Sequence, residues 1–179
     1  MSEIVAWNEL SRETVFRKYG RSIDKVMYEI PGGEETDFYI KREGLGMAVC
    51  ALALTVDQEV ILARQFRPGP GEILLELPGG GLDEGEAAEA AIARELLEET
   101  GYAGDVEHVV DSLDDAYSTT RRSCFVVTNC RKVAEPQHTS TEQTEVVLLP
   151  LDAFRQHLRS GQLTDIEVGY LGLDHLGLL

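Results

Sequence analysis

Residues 86–101 read EAAEAAIARELLEETG, a run of alanine, leucine, glutamate and arginine with no proline, and no glycine before Gly101. These residue types have the best intrinsic helix propensity, and a glycine just past the end suits the left-handed residue that closes a helix. The run predicts a helix over 86–100 capped by Gly101. Ala88, Ala91, Ile92 and Leu96 fall in one half of it, the stripe a helix lays on a core. Glu95 and Glu99 fall in the same half, so carboxylates extend an inward-facing stripe.

That placement is wrong for stability alone. Glu95 is related to Glu98 and Glu99 by the i,i+3 and i,i+4 steps that bring side chains together, and like charges so spaced repel by about 0.2–0.5 kcal/mol per pair. All three lie in the last turns, where the helix dipole disfavours a carboxylate by about 0.3–1 kcal/mol. A bound divalent cation would resolve both conflicts, because hard cations take several oxygen ligands at once. The alternative is a solvated acidic helix end that Arg94 partly neutralises. The preceding Pro78-Gly79-Gly80-Gly81 favours the cation, since glycines let backbone groups approach a ligand closely.

Outward from the helix the chain alternates strands and turns. Strands are predicted at 25–30 and 37–42 around Pro31-Gly32-Gly33, at 60–66 and at 73–77, with a loop at Pro68-Gly69-Pro70-Gly71 between the last two. The stretch 46–55, GMAVCALALT, is apolar enough for a strand buried on both faces. Further strands are expected near 106–112, 122–128 and 145–150, then a helix over 151–160 closed by Gly161, and a helical tail from Asp165. Without a regular βαβ repeat, this order implies an α/β chain built on a mixed sheet flanked by helices.

Composition bounds the rest. At 179 residues and 43% hydrophobic, the chain is long enough for one domain with a sizeable core. A net charge of -16 argues against nucleic acid as the main partner, because a phosphate backbone is held by clustered Lys and Arg. A small phosphorylated substrate remains open, since divalent ions screen acidic groups. No apolar stretch reaches membrane-spanning length and no secretory layout begins the chain, so a cytoplasmic protein without a membrane partner is expected. Cys50, Cys124 and Cys130 lack metal-type pairing and are expected reduced and buried.

Residues 80–102, GGLDEGEAAEAAIARELLEETGY, resemble the Nudix box. Gly80 is followed after five residues by Glu86; seven more lead to Arg94-Glu95-Leu96, then Glu98-Glu99 and Gly101. The box's last position prefers an aliphatic residue and here holds Tyr102. Gln65-Phe66-Arg67-Pro68 and Leu74-Leu75-Glu76-Leu77-Pro78 are similar to the stretch before the box in the ADP-ribose pyrophosphatase and nucleotide-sugar branch of that family.

The resemblance implies an α/β/α sandwich over 46–179, preceded by a small β region over 1–45 that helps form a homodimer. It implies hydrolysis of the pyrophosphate bond of a nucleoside diphosphate derivative, with Mg2+ (or Mn2+) held by Glu95, Glu98, Glu99, Glu86 and the Gly79 carbonyl. Arg94 would orient a glutamate. The general base would be Glu142 on the loop STEQTE, with Glu145 second; a plain surface glutamate is the alternative. Arg67, Glu76, Gly80 and Tyr117 would meet substrate, although Arg67 also reads as a strand-end surface arginine. One departure bears on substrate: sixteen residues past Gly101, where the branch commonly has proline, stands Tyr117. A tyrosine near there is associated with dinucleoside polyphosphate hydrolases, so that substrate stays open, as does a sensing module that binds without cutting. Trp7, Arg121 and Arg122 are weaker ligand candidates, with core packing or surface charge as their other readings.

Overall fold

The computed structural model describes residues 4–137 and 143–179; the expected general base, Glu142, lies outside the described residues. The chain divides into two compact units. One holds the residues up to Met47 together with Leu113–Arg121; the other holds Ala48–Ser112 and Arg122–Leu179.

In the first unit, β1 (Asn8–Lys18), β2 (Arg21–Glu29) and β3 (Glu35–Glu43) form an antiparallel sheet in that order. The β1–β2 connection is the two-residue turn Tyr19-Gly20, both at positive φ, the conformation whose twist matches a hairpin. The segment Leu113–Arg121 belongs to this unit as well. Lys41 N–H donates to Tyr117 O at 2.8 Å and Thr119 N–H to Lys41 O at 3.0 Å, and the Lys41 ammonium sits 2.9 Å from Asp114 and 2.8 Å from Asp115. Trp7, Tyr28, Phe38 and Tyr117 form a chain of aromatic contacts, ending in Phe38 stacked on Tyr117 with centroids 6.0 Å apart.

The second unit is a mixed sheet flanked by helices, as the alternation of elements implies. Its strands are β4 (Met47–Thr55), β5 (Glu59–Arg67), β6 (Glu72–Glu76), β7 (Gly79–Gly81), β8 (Tyr102–Leu113), β9 (Arg121–Lys132) and β10 (Glu145–Pro150). The order is β10-β5-β4-β9-β8, with β6 on β5 and β7 on β4. The helices are α1 (Ala88–Thr100), α2 (Leu151–Ser160) and α3 (Ile166–His175). Gly101 and Gly161 close α1 and α2 in the left-handed conformation.

Two apolar layers explain the unbroken hydrophobic run in β4. Cys50, Leu52 and Leu54 join Phe154, Leu158, Val168 and Leu173 of α2 and α3 in one cluster. Val49, Ala51 and Ala53 join Ala91, Ile92 and Leu96 of α1 in the other. Successive residues of a strand point to opposite faces, so a strand covered on both sides must be apolar throughout. The pairing also opens the place where the site lies. β4 pairs with β5 at Ala53 and Leu54 but with β7 at Ala48–Cys50, while β5 pairs with β6 from Ala63 to Arg67. The two central strands part, and the β6–β7 corner enters the gap.

Candidate active site

The C-terminal half of α1, the end of β5 and the glycines of β7 line one cleft of about 360 Å³. Gln65, Arg67, Gly79, Gly80, Gly81, Arg94, Glu95, Glu98 and Glu99 contribute to it, with Gln137 and Thr144 beside them. The spacing of the glutamates on α1 therefore does bring them to one face. Glycine is required at Gly79, where a Cβ would run into the Val49 carbonyl, and a Cβ on Gly80 would displace the Glu95 carboxylate.

Arg94 organises the carboxylates. Its Nε and Nη2 donate to the two oxygens of Glu86 at 3.0 and 2.9 Å, and its Nη1 to Glu95 at 2.9 Å and Glu98 at 3.2 Å. Nη2 also reaches the Gly81 carbonyl at 3.0 Å. The guanidinium, then the Asp83 N–H, hold the Glu86 carboxyl down at about 2, and the carboxylates raise Arg94 further above its ordinary range. Glu99 accepts from the Gly79 N–H at 3.0 Å, tying the end of α1 to the glycine turn.

With Arg94 among them, no three acidic, histidine or cysteine side chains of the described residues stand close enough together to hold a metal ion. The donor set nonetheless suits a hard cation: carboxylate oxygens on one helix face beside a glycine backbone that a side chain would block. The last carbonyls of α1 are closed from outside. Gln137 N–H donates to Glu98 O at 2.7 Å and Thr144 Oγ1 to Glu99 O at 2.9 Å.

Glu76 is fully buried, with one oxygen bonded to Arg67 and the other to Thr164. In this position Glu76 holds Arg67, which lines the cleft. Thr164 leads to Asp165, which pairs with Arg122 at 3.1 Å; Arg122 also meets Glu167 at 2.6 Å. Burial pushes the Asp165 carboxyl above its ordinary range in spite of Arg122. Arg122 is thus a largely buried partner of two carboxylates, neither a free surface charge nor an open phosphate ligand. Tyr117 lies in the first unit, stacked on Phe38. Glu145 pairs with Arg64 at 2.9 Å.

Gln65 and the Thr164–Asp165 pair escaped the sequence reading of the site. The signal for Gln65 was available: it stands two residues beyond Ala63 in an apolar strand, a polar residue on a buried alternation. No local pattern announces Thr164 or Asp165, whose partners are remote in sequence.

Residues 44–166 match the family model of the NUDIX domain. The chain belongs to the Nudix family. It is similar to an ADP-sugar pyrophosphatase of Mus musculus, 57% identical over 112 residues that cover 58% of this chain and 50% of the mouse protein. It is also similar to ADP-ribose pyrophosphatases of Bacillus subtilis (strain 168), 36% identical over 96 residues with 52% and 49% covered, and of Saccharomyces cerevisiae, 32% over 94 residues with 47% and 41% covered. The chain spans about half the length of these relatives, or less. Among solved structures, that of an ADP compounds hydrolase superposes with a TM-score of 0.80 at 21% identity over 100% of both chains, which establishes the fold.

Proposed function

We propose that this chain hydrolyses the pyrophosphate bond of a nucleoside diphosphate derivative, ADP-ribose or a nucleotide sugar, to a nucleoside monophosphate and a sugar phosphate. The observation that carries the reading is the convergence of Glu95, Glu98 and Glu99 with the Gly79–Gly81 backbone in one cleft that arginines flank. The relatives named for ADP-sugar and ADP-ribose substrates support the choice of substrate class.

Glu95, Glu98, Glu99, Glu86 and the Gly79 carbonyl would hold Mg2+, with Mn2+ as a substitute. The ion would neutralise phosphate charge and lower the pKa of an attacking water. Arg94 sets the orientation of Glu86, Glu95 and Glu98 through its fan of hydrogen bonds. Arg67, anchored by buried Glu76, presents a positive charge at the cleft for a phosphate or ribose oxygen. Gly80 leaves room for the ligand and for Glu95 together. Glu142 is the proposed general base; its support is that Gln137 and Thr144, on either side of 138–142, are bonded to the carbonyls of Glu98 and Glu99. Glu145, tied to Arg64, is the weaker choice. Tyr117, beside Phe38, offers an aromatic face for a base.

The protein is proposed to act as a homodimer, because its N-terminal sheet leaves Trp7, Val15, Phe16 and Tyr39 exposed. Three free, buried thiols fit a cytoplasmic location.

The test is a screen with and without magnesium across ADP-ribose, other nucleotide sugars, dinucleoside polyphosphates and nucleoside triphosphates, with products identified by mass. ADP-ribose or a nucleotide sugar is expected to be cut fastest, and only with metal. Preference for a dinucleoside polyphosphate would move the assignment to that class. Binding without turnover on every substrate would make the chain a sensing module, an outcome that its complete set of box glutamates opposes.

A further inference from the structure

Gln65 is 6% exposed, and its Nε2 is the one buried side-chain nitrogen or oxygen without a hydrogen-bond partner among the described residues. A buried donor left unpaired costs about 1–3 kcal/mol, and folded proteins leave few of them. The position did not require an amide. On the alternation of β5, Gln65 shares a face with Ile61 and Ala63, both fully buried apolar residues, and a leucine there would carry no such penalty.

Gln65 is one of the residues that line the cleft, with Arg67, Gly80, Glu95 and Glu99. Carboxylate acceptors are close at hand, yet they bond elsewhere: Glu95 to Arg94, and Glu99 to the Gly79 N–H. A donor held dry and unsatisfied in a residue that lines the cleft has its acceptor still to come, and a bound ligand can supply it once the side chain turns towards the opening. Arginines flanking the same cleft select an anionic one. A neutral amide also avoids two faults of a charged residue there. A carboxylate would add to the negative charge of the cluster, and an ammonium would compete for its oxygens.

We infer that Gln65 is a substrate-binding residue whose Nε2 donates to a non-bridging phosphate oxygen of the nucleoside diphosphate. The inference deepens the hydrolase reading above and rests on it for the identity of the ligand.

The test compares wild type with Gln65→Leu, Gln65→Asn and Gln65→Glu in the presence of magnesium. It measures steady-state hydrolysis of ADP-ribose, calorimetric binding of its α,β-methylene analogue, and melting temperature. Gln65→Leu should keep or raise the melting temperature, because an unpaired amide is removed. It should also lower kcat/KM and weaken analogue binding by about ten- to a hundred-fold, as loss of a hydrogen bond to a charged group does. Gln65→Glu should be worse than Gln65→Leu, and Gln65→Asn should recover part of the loss. Unchanged kinetics and binding in Gln65→Leu, or a fall matched by a lowered melting temperature, would overturn the assignment. A wild type that binds the analogue without hydrolysing ADP-ribose would sink the hydrolase reading alone, with the binding ratio still deciding Gln65. A wild type that neither binds nor cuts would sink both.

Discussion

Two strands of similar length show opposite ways of being a strand. Every residue of β1 is exposed, whereas seven of the nine residues of β4 are buried. β4 is held by apolar packing on both faces, each face contributing alternate residues to its own cluster. β1 is held by its ladder to β2 and by surface contacts such as Arg12 to Asp24 at 3.3 Å and Thr14 to Asp24 at 2.7 Å. Exposed ion pairs contribute about 0–1 kcal/mol, and the three-stranded sheet encloses one fully buried hydrophobic residue, Val26. A sheet without a hydrophobic face of its own needs another surface to cover it. The comparison teaches a division of labour: the central sheet is held by a core of its own, whereas the N-terminal sheet carries apolar side chains at its surface, which is what the proposed association would use.

The largest effect expected is on chemistry in the central unit. Glu98→Gln and Glu99→Gln should each lower turnover by about 100-fold or more, the scale of losing one transition-state charge contact, while sedimentation and melting temperature stay near wild type. Unchanged rates in both would remove the site assignment. Next comes the core. Leu52→Ala should cost about 2–5 kcal/mol in chemical denaturation, and Val15→Ala on β1 under about 0.5 kcal/mol; equal costs would erase the contrast between the strands. Association should run the other way. Analytical ultracentrifugation is expected to give a dimer of the 19.8 kDa chain, and Phe16→Ser with Val15→Ser should shift it towards monomer at micromolar concentration, whereas Leu52→Ala should not. A wild-type monomer would leave the exposed sheet unexplained by self-association.

The smallest effect is a pH slope. Because burial raises the Asp165 carboxyl above its ordinary value, its contribution to folding is full below the ordinary aspartate range and is lost as pH rises through the raised value. The melting temperature of Asp165→Asn minus that of wild type should therefore climb as pH rises out of the ordinary aspartate range and level off above the raised value. A flat or falling difference would mean that the Arg122 pair outweighs burial.

Legibility followed the same contrast. β4 and α1 were readable because their periodicity is local: an apolar run bounded by turns, and a propensity-rich helix with a glycine cap. β1 escaped because NELSRETVFRK has no apolar alternation, and alternation appears only where one face is buried. β7 gave no strand signal in Gly79-Gly80-Gly81, because its ladder is imposed by β4. The burial of Glu76 and the pairing of Arg122 gave no local signal, because charged residues are rarely buried unless paired. Their partners lie far along the chain: Thr164 for Glu76, and Asp165 and Glu167 for Arg122.

By itself the sequence determined the acidic helix, its glycine-rich approach and the two-faced central strand, since each rests on spacings of a few residues that backbone geometry converts directly into direction. Only the tertiary structure decided that Arg94 fans across three glutamates, that Glu76 is sealed behind Arg67, and that Gln65 is left with an unspent donor. Those outcomes depend on which distant segments meet and on whether water is excluded there, and no local pattern of residues records either.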